Sequence, residues 1–218
     1  MSKTKLAPDT YEYRFKTLDR SIKPEVGQFC YIQKNRFGEA HPFTVMSFDH
    51  QTGGLVFGIK ASGPYTQKLT DLKKGDIVFV DGAYGVFTAE GHNPAPKVLI
   101  AGGIGITPFV ELVHQYGDDD TYLIYSNSLL TDAVKRKELK QKLGKKYFDV
   151  VTKEEINKAQ IISGRLDVDK LKQLVPQKLF DQAQYFLCGP KPFYQSLSAG
   201  LIAAGVKPDK IHYEAFGL

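Results

Sequence analysis

The chain has 218 residues, 42% of them hydrophobic and 24% charged, with a formal net charge of +5 and a pI near 9.0. That is enough chain for one large domain or two small ones of ordinary globular composition, and no apolar run approaches the roughly 18 residues of a membrane helix. No signal peptide is visible, and two cysteines outside any CxxC pair argue against zinc, an iron–sulfur cluster or a disulfide framework and for a reducing compartment.

Residues 1–10, "MSKTKLAPDT", are too polar to read as a strand. Then "YEYRF", "GQFCYIQ", "HPFTVMSF", "GLVFGIK" and "DIVFV" follow as β-rich runs separated by Pro24, Gly27, Gly38, Gly53-Gly54 and Gly75. Their spacing predicts a small antiparallel barrel, capped by a helix over residues 66–72. A six-stranded barrel needs one more strand before "YEYRF". Its absence suggests a chain cut from a longer protein.

Residues 89–97, "AEGHNPAPK", form the expected linker, because Gly, Asn and two prolines break regular structure. The expected domains are therefore 1–92 and 93–218. After the linker, strands and helices alternate. "KVLIAGG", "TYLIYSN", "YFDVVT", "QYFLCGP" and "KIHYEAF" read as strands. Residues 108–116, 130–143, 168–174 and 191–204 read as helices. Near-continuous apolar strands in such alternation indicate a doubly wound parallel sheet. The basic run at 135–146, "KRKELKQKLGKK", reads as a solvated helix face, and its lack of aromatics argues against nucleic-acid binding.

Residues 101–109, "AGGIGITPF", follow directly on a buried strand. Ligands in such sheets bind beyond the carboxyl ends of strands. Gly102, Gly103 and Gly105 permit positive φ and close backbone approach to an anion. Thr107 is expected as the N-cap of the next helix and Pro108 as its first residue. A pyrophosphate suits the place. Pro108 occupies the third glycine position of GxGxxG, and GxxxxGK[ST] is absent. "FLCGPKPF" ends another strand on the same side of the sheet, which brings Cys188, Gly189 and Pro190 into consideration.

In order, "GQFCYI", "HPFTVMS", "GPYTQKL", "YGVF", "AGGIGITPF", "FLCGP" and "HYEAF" resemble the ferredoxin–NADP reductase superfamily over nearly the whole chain. The resemblance implies an antiparallel flavin-binding β-barrel followed by a doubly wound parallel-sheet nucleotide-binding domain. It also implies FAD and NADPH, with NADH also used, and no catalytic metal. The form His-Pro-Phe-Thr resembles the NADPH oxidase and ferric reductase branch. There the module is the dehydrogenase part of a longer membrane protein, at its cytoplasmic face, feeding a haem-bearing transmembrane domain that makes superoxide. The alternative is a free-standing flavin, ferric or ferredoxin-type reductase with a soluble electron acceptor.

The same resemblance assigns roles. Phe43 flanks the flavin and Thr44 hydrogen-bonds near its N5. His41, beside Pro42, takes the place of an arginine that meets the flavin phosphates, as a weaker anion partner. Lys60, Ser62 and Thr66 fall on the second phosphate segment, where Thr66 is expected to open a helix. Gly103, Gly105, Thr107 and Pro108, with Gly102, match the nucleotide pyrophosphate turn. Cys188, Gly189 and Pro190 border the nicotinamide, with Glu214 orienting it. Tyr84, Gly85 and Phe87 match a turn that lines the cleft between domains. Phe216 stacks on the flavin and must swing aside for hydride transfer. Ser126, Asn127 and Ser128 lie where NADPH-specific relatives carry an arginine, with Arg165 and Arg136 as substitutes, so the expected preference for NADPH is modest.

Overall fold

Backbone pairing, more than hydrophobic alternation, builds the first half of the chain. The computed structural model describes residues 1–18 and 21–215. Its first strand is β1 (Ser2–Ala7), the segment whose polarity argued against a strand. β1 pairs antiparallel with β2 (Thr10–Lys16), from Ser2 opposite Arg14 to Ala7 opposite Thr10. An edge strand needs only its ladder, and Lys3 and Lys5 suit an edge that must not recruit further strands. The expectation of a missing strand is therefore wrong, because alternation is not required where both faces meet water.

β3 (Phe29–Gln33), β4 (His41–Asp49), β5 (Gly54–Lys60) and β6 (Phe79–Tyr84) complete a six-stranded antiparallel sheet of order β1-β2-β5-β4-β3-β6. Inward residues Tyr13, Phe15, Cys30, Ile32, Val45, Leu55, Phe57 and Ile59 make one core, joined by Leu69 and Leu72. Burying each such aliphatic or aromatic side chain stabilises by about 1.5–3 kcal/mol. The helix α1 spans Pro64–Leu69, two residues earlier than its apolar pattern suggested, because Pro64 supplies the first turn. β6 also differs from the run "DIVFV". Ile77 is exposed, and the strand continues through Gly82 to Tyr84 because β3 pairs with it there.

The second compact unit begins at Phe87. The expected linker is packed. Ala89–His92 form a 3-10 turn, and a Cβ on Gly91 would stand 2.4 Å from Leu112 Cδ1. Phe87 lies 5.8 Å from Phe109 and 6.0 Å from Phe186, ring to ring.

This unit is a parallel six-stranded sheet of order β10-β9-β8-β7-β11-β12. Its strands are β7 (Lys97–Gly102), β8 (Thr121–Asn127), β9 (Tyr147–Val151), β10 (Ile161–Ser163), β11 (Gln184–Gly189) and β12 (Ile211–Ala215). Helices α2 (Thr107–Tyr116), α3 (Arg136–Leu143), α4 (Val168–Leu174), α5 (Gln177–Phe180) and α6 (Lys191–Ala203) connect them. Val98 to Ala101 are all buried, as a strand covered on both faces requires. β10 and α5 escape sequence reading because they are only three and four residues long. The helix expected over 130–143 is a 3-10 turn, Leu130–Asp132, followed by α3, with Lys135 left-handed between them at φ 55°.

The basic face of α3 is not wholly solvated. Arg136 gives Nε and Nη2 to one oxygen of buried Asp149, at 2.9 and 2.8 Å, and the Tyr147 hydroxyl donates to the other oxygen at 2.8 Å. Burial first, and then Asp149, push the Tyr147 phenol far above its ordinary range, so it remains a donor. Asp149→Ala leaves a guanidinium and a phenol without their acceptor. Denaturant unfolding should show a loss of about 3 kcal/mol, with a smaller loss in Asp149→Asn.

Candidate functional site

Each unit carries its own group of candidate residues. In the first, β4 opens with His41, Pro42 and Phe43, all half-buried, followed by buried Thr44. The Thr44 Oγ1 is buried and has no hydrogen-bond partner among the described residues. A buried hydroxyl of that kind costs about 1–3 kcal/mol unless something bonds to it. It is an observation that points to a missing partner.

His41 does not project freely. Its ring stacks on Tyr65 at 3.9 Å and 19°, and its Nε2 lies 3.5 Å from Glu39 Oε2. Phe43 is 6.3 Å from the same Tyr65 ring, nearly parallel to it. Tyr65 thus ties the start of β4 to the start of α1, and its hydroxyl donates to Ile32 O at 2.5 Å. Sequence reasoning passed over Tyr65, although it stands next to Thr66 in "GPYTQKL".

Thr66 does not open α1. It is the third residue of that helix, and its Oγ1 accepts the N–H groups of Ser62 and Gly63 at 3.1 and 2.9 Å. The hydroxyl closes the capping box that shapes the loop. Ser62 and Lys60 remain exposed beside it. Tyr84 ends β6 with its hydroxyl on Asp81 at 3.0 Å, and the Gly85 carbonyl accepts from Gln28 Nε2.

In the second unit the sheet order gives the location. From β7 the chain moves outward one way through β8, β9 and β10, then returns to place β11 and β12 on the other side. The switch point lies between β7 and β11, where open α/β sheets hold ligands at the strands' carboxyl ends. Gly102 to Gly105 end one of these strands, and Cys188, Gly189 and Pro190 end the other.

The glycines divide the work. Gly103 is left-handed at φ 56°, with no atom of the described residues within 4 Å of where a Cβ would stand. Gly105 is needed for packing instead. A Cβ there would lie 2.2 Å from Cys188 O and 2.9 Å from Gly189 N. Neither Gly102 nor Gly105 has positive φ. Thr107 is not an N-cap. Residues Gly103–Ile106 form a 3-10 turn that runs straight into α2, and the buried Thr107 hydroxyl donates back to Ile104 O at 3.1 Å. Pro108 keeps its place in the first turn of the helix.

Cys188 is fully buried, and in the β11–β12 ladder it stands opposite Glu214. Burial first, and the Glu214 carboxylate second, raise the thiol well above its ordinary value. Burial also pushes Glu214 up to about 7, and its Oε2 has no partner among the described residues. A neutral thiol thus stands beside a carboxyl group that titrates near neutrality. Ser126 and Asn127, both buried, end β8 opposite Gly102 and Val151. Arg136 is committed to Asp149 and is not a free cation for a nucleotide phosphate, whereas Arg165 is exposed after β10. Phe216 lies outside the described residues.

The raised Glu214 pKa has a sign. The folded protein keeps a proton that the unfolded chain gives up from about pH 4.5 upward, so its stability contribution is full below that pH and is lost as pH rises through about 7. In Glu214→Gln, unfolding free energy plotted against pH should flatten over that window. Relative to the wild type, the variant should gain about 1–2 kcal/mol between acid and mildly alkaline pH.

Comparison with known proteins agrees with the two units. Residues 1–89 match the family described as oxidoreductase FAD-binding domain, and residues 99–199 the family described as oxidoreductase NAD-binding domain. The flavohemoprotein of Bacillus cereus is 28% identical over 158 residues, covering 67% of this chain and 39% of that protein. The chain therefore spans about two fifths of the length of this curated relative. The flavohemoglobin of Malassezia yamatoensis, solved with bound FAD and heme, superposes with a TM-score of 0.81 at 28% identity, over 99% of this chain and 58% of that one. A ferredoxin NADP+ reductase from Neisseria gonorrhoeae shares the fold, with a TM-score of 0.78 at 17% identity, over 95% of this chain and 93% of that one. An FAD-binding antiparallel unit followed by an NAD-binding parallel sheet makes this chain a member of the ferredoxin–NADP reductase superfamily of oxidoreductases.

Proposed function

We propose that the chain is a dehydrogenase module that takes electrons from NAD(P)H through FAD and delivers them singly to a haem. The observation that carries the reading is the open, left-handed Gly103 turn at the switch point beside the neutral Cys188 thiol. The Thr44 hydroxyl, without a partner among the described residues, supports an FAD fit on the first unit, because a flavin edge would supply its hydrogen bond.

Bound FAD would supply the chemistry, accepting a hydride and releasing electrons one at a time. The chain's own residues bind and orient. Thr44 donates to the flavin ring and Phe43 flanks it. Lys60 and Ser62 meet the phosphates, aided less by His41, which has Glu39 beside it. Gly103 lets the nucleotide pyrophosphate approach the backbone, and Ser126 marks the ribose end. Cys188, Gly189 and Pro190 border the nicotinamide. A protonated thiol and a largely protonated Glu214 keep fixed negative charge away from it below neutral pH.

The haem acceptor rests on two supports. The His41-Pro42-Phe43-Thr44 form resembles the NADPH oxidase branch, and the relatives at 28% identity are flavohemoproteins. In the first setting the module works at the cytoplasmic face of a membrane and its haem domain makes superoxide. Among the described residues no helix is long and apolar enough to cross a membrane.

The purified chain supplied with FAD should oxidise NADH or NADPH with cytochrome c or ferricyanide as acceptor, and the rate should depend on added FAD. Absence of both FAD binding and nucleotide oxidation would overturn the reading. Thr44→Val should separate function from fold. Its unfolding free energy should hold or rise by about 1 kcal/mol, while FAD binds roughly tenfold more weakly.

A further inference from the structure

We infer that Glu154 directs nucleotide choice toward NADH and against NADPH; this rests on the NAD(P)H dehydrogenase reading above. In a doubly wound sheet, a dinucleotide whose pyrophosphate lies over the first strand-to-helix turn places its adenosine ribose beyond the carboxyl end of the next strand. Here that next strand is β8. Its last residues pair with Gly102 on one side and with β9 on the other.

Two segments close around the end of β8. After β9 the backbone stays zipped to it, with Thr152 N donating to Asn127 O at 3.1 Å and Lys153 N to Ser128 O at 3.0 Å. This zipper delivers Glu154 to the turn that follows β8. One of its oxygens, Oε2, accepts the Leu130 N–H at 2.7 Å. Asp132 holds the Leu129 N–H in the same turn at 3.1 Å. Two carboxylates are thus fixed by backbone donors at the ribose end.

The positive charges there are less well placed. Arg136 spends Nε and Nη2 on buried Asp149. Arg165 follows β10, one strand further out, where Gly164 N bonds Val151 O. Lys153 is exposed. A 2′-phosphate adds nearly two negative charges and meets an anchored carboxylate before any anchored cation. A ribose 2′-hydroxyl meets the same carboxylate as an acceptor, through the oxygen that Leu130 does not use. On this inference NADH is preferred, in place of the modest NADPH preference that the resemblance implies.

The test is calorimetric titration of the protein with NAD+ and with NADP+, together with oxidation of NADH and NADPH by the FAD-loaded protein. The wild type should bind NAD+ more tightly and use NADH better. Glu154→Gln keeps an acceptor for the Leu130 N–H, removes the charge and replaces the oxygen offered to the ribose with an amide donor. It should shift the ratio of the two dissociation constants roughly fivefold to tenfold toward NADP+, through somewhat weaker NAD+ binding and tighter NADP+ binding, with the unfolding midpoint nearly unchanged, and added salt should shrink the shift. Tighter NADP+ binding by the wild type, or an unchanged ratio in Glu154→Gln, would overturn the inference while leaving the dehydrogenase reading intact. Failure of both nucleotides to bind or to be oxidised would overturn that reading instead.

Discussion

Nothing larger than a hydrogen fits on the Cα of Gly105, because the Cys188 carbonyl already occupies the space a methyl group would take. That contact seats the turn after β7 against the end of β11. It brings two strands that are distant in sequence to one switch point, so that Gly103 can leave its neighbourhood open. The tight packing and the open space depend on each other. A looser turn would let side chains fill the volume over Gly103, and a side chain on Gly103 itself would have to adopt a left-handed conformation.

Two acidic residues of the same sheet meet burial differently. At Asp149 a guanidinium bonds one oxygen and a phenol the other. At Glu214 no partner among the described residues reaches Oε2, and desolvation moves the group toward its neutral form. The first arrangement serves the fold and offers no free chemistry. The second leaves an unsettled protonation state next to a thiol that stays neutral. The contrast sets an acidic residue with both oxygens bonded against one whose carboxyl is left to titrate.

Much of this was legible in the sequence, and the failures share a cause. The apolar runs around Leu99, Ile124 and Leu187 announced a parallel sheet because burial on both faces leaves a compositional mark. The glycines after β7 announced a turn, but composition could not say that Gly105 serves packing and Gly103 conformation. Thr107 looked like a cap and proved to bond backward. Thr66 looked like the start of a helix and proved to be its third residue. Hydroxyl residues near helix starts have several backbone partners within reach, and only coordinates choose among them. Tyr65 and Asp149 were missed because their importance lies in what they touch across the fold, His41 in one case and Arg136 in the other.

β1 has a consequence of a different kind. Its side chains mostly face water, and its hold on β2 runs through backbone groups that every residue except proline possesses. Substitution at Thr4 or Lys5 therefore meets little resistance so long as the ladder survives. Over evolutionary time such a strand can drift until no trace of kinship remains in its letters, while its place in the sheet does not move. Sequence comparison will undervalue this margin of the molecule, and ancestry there must be sought in hydrogen-bond register.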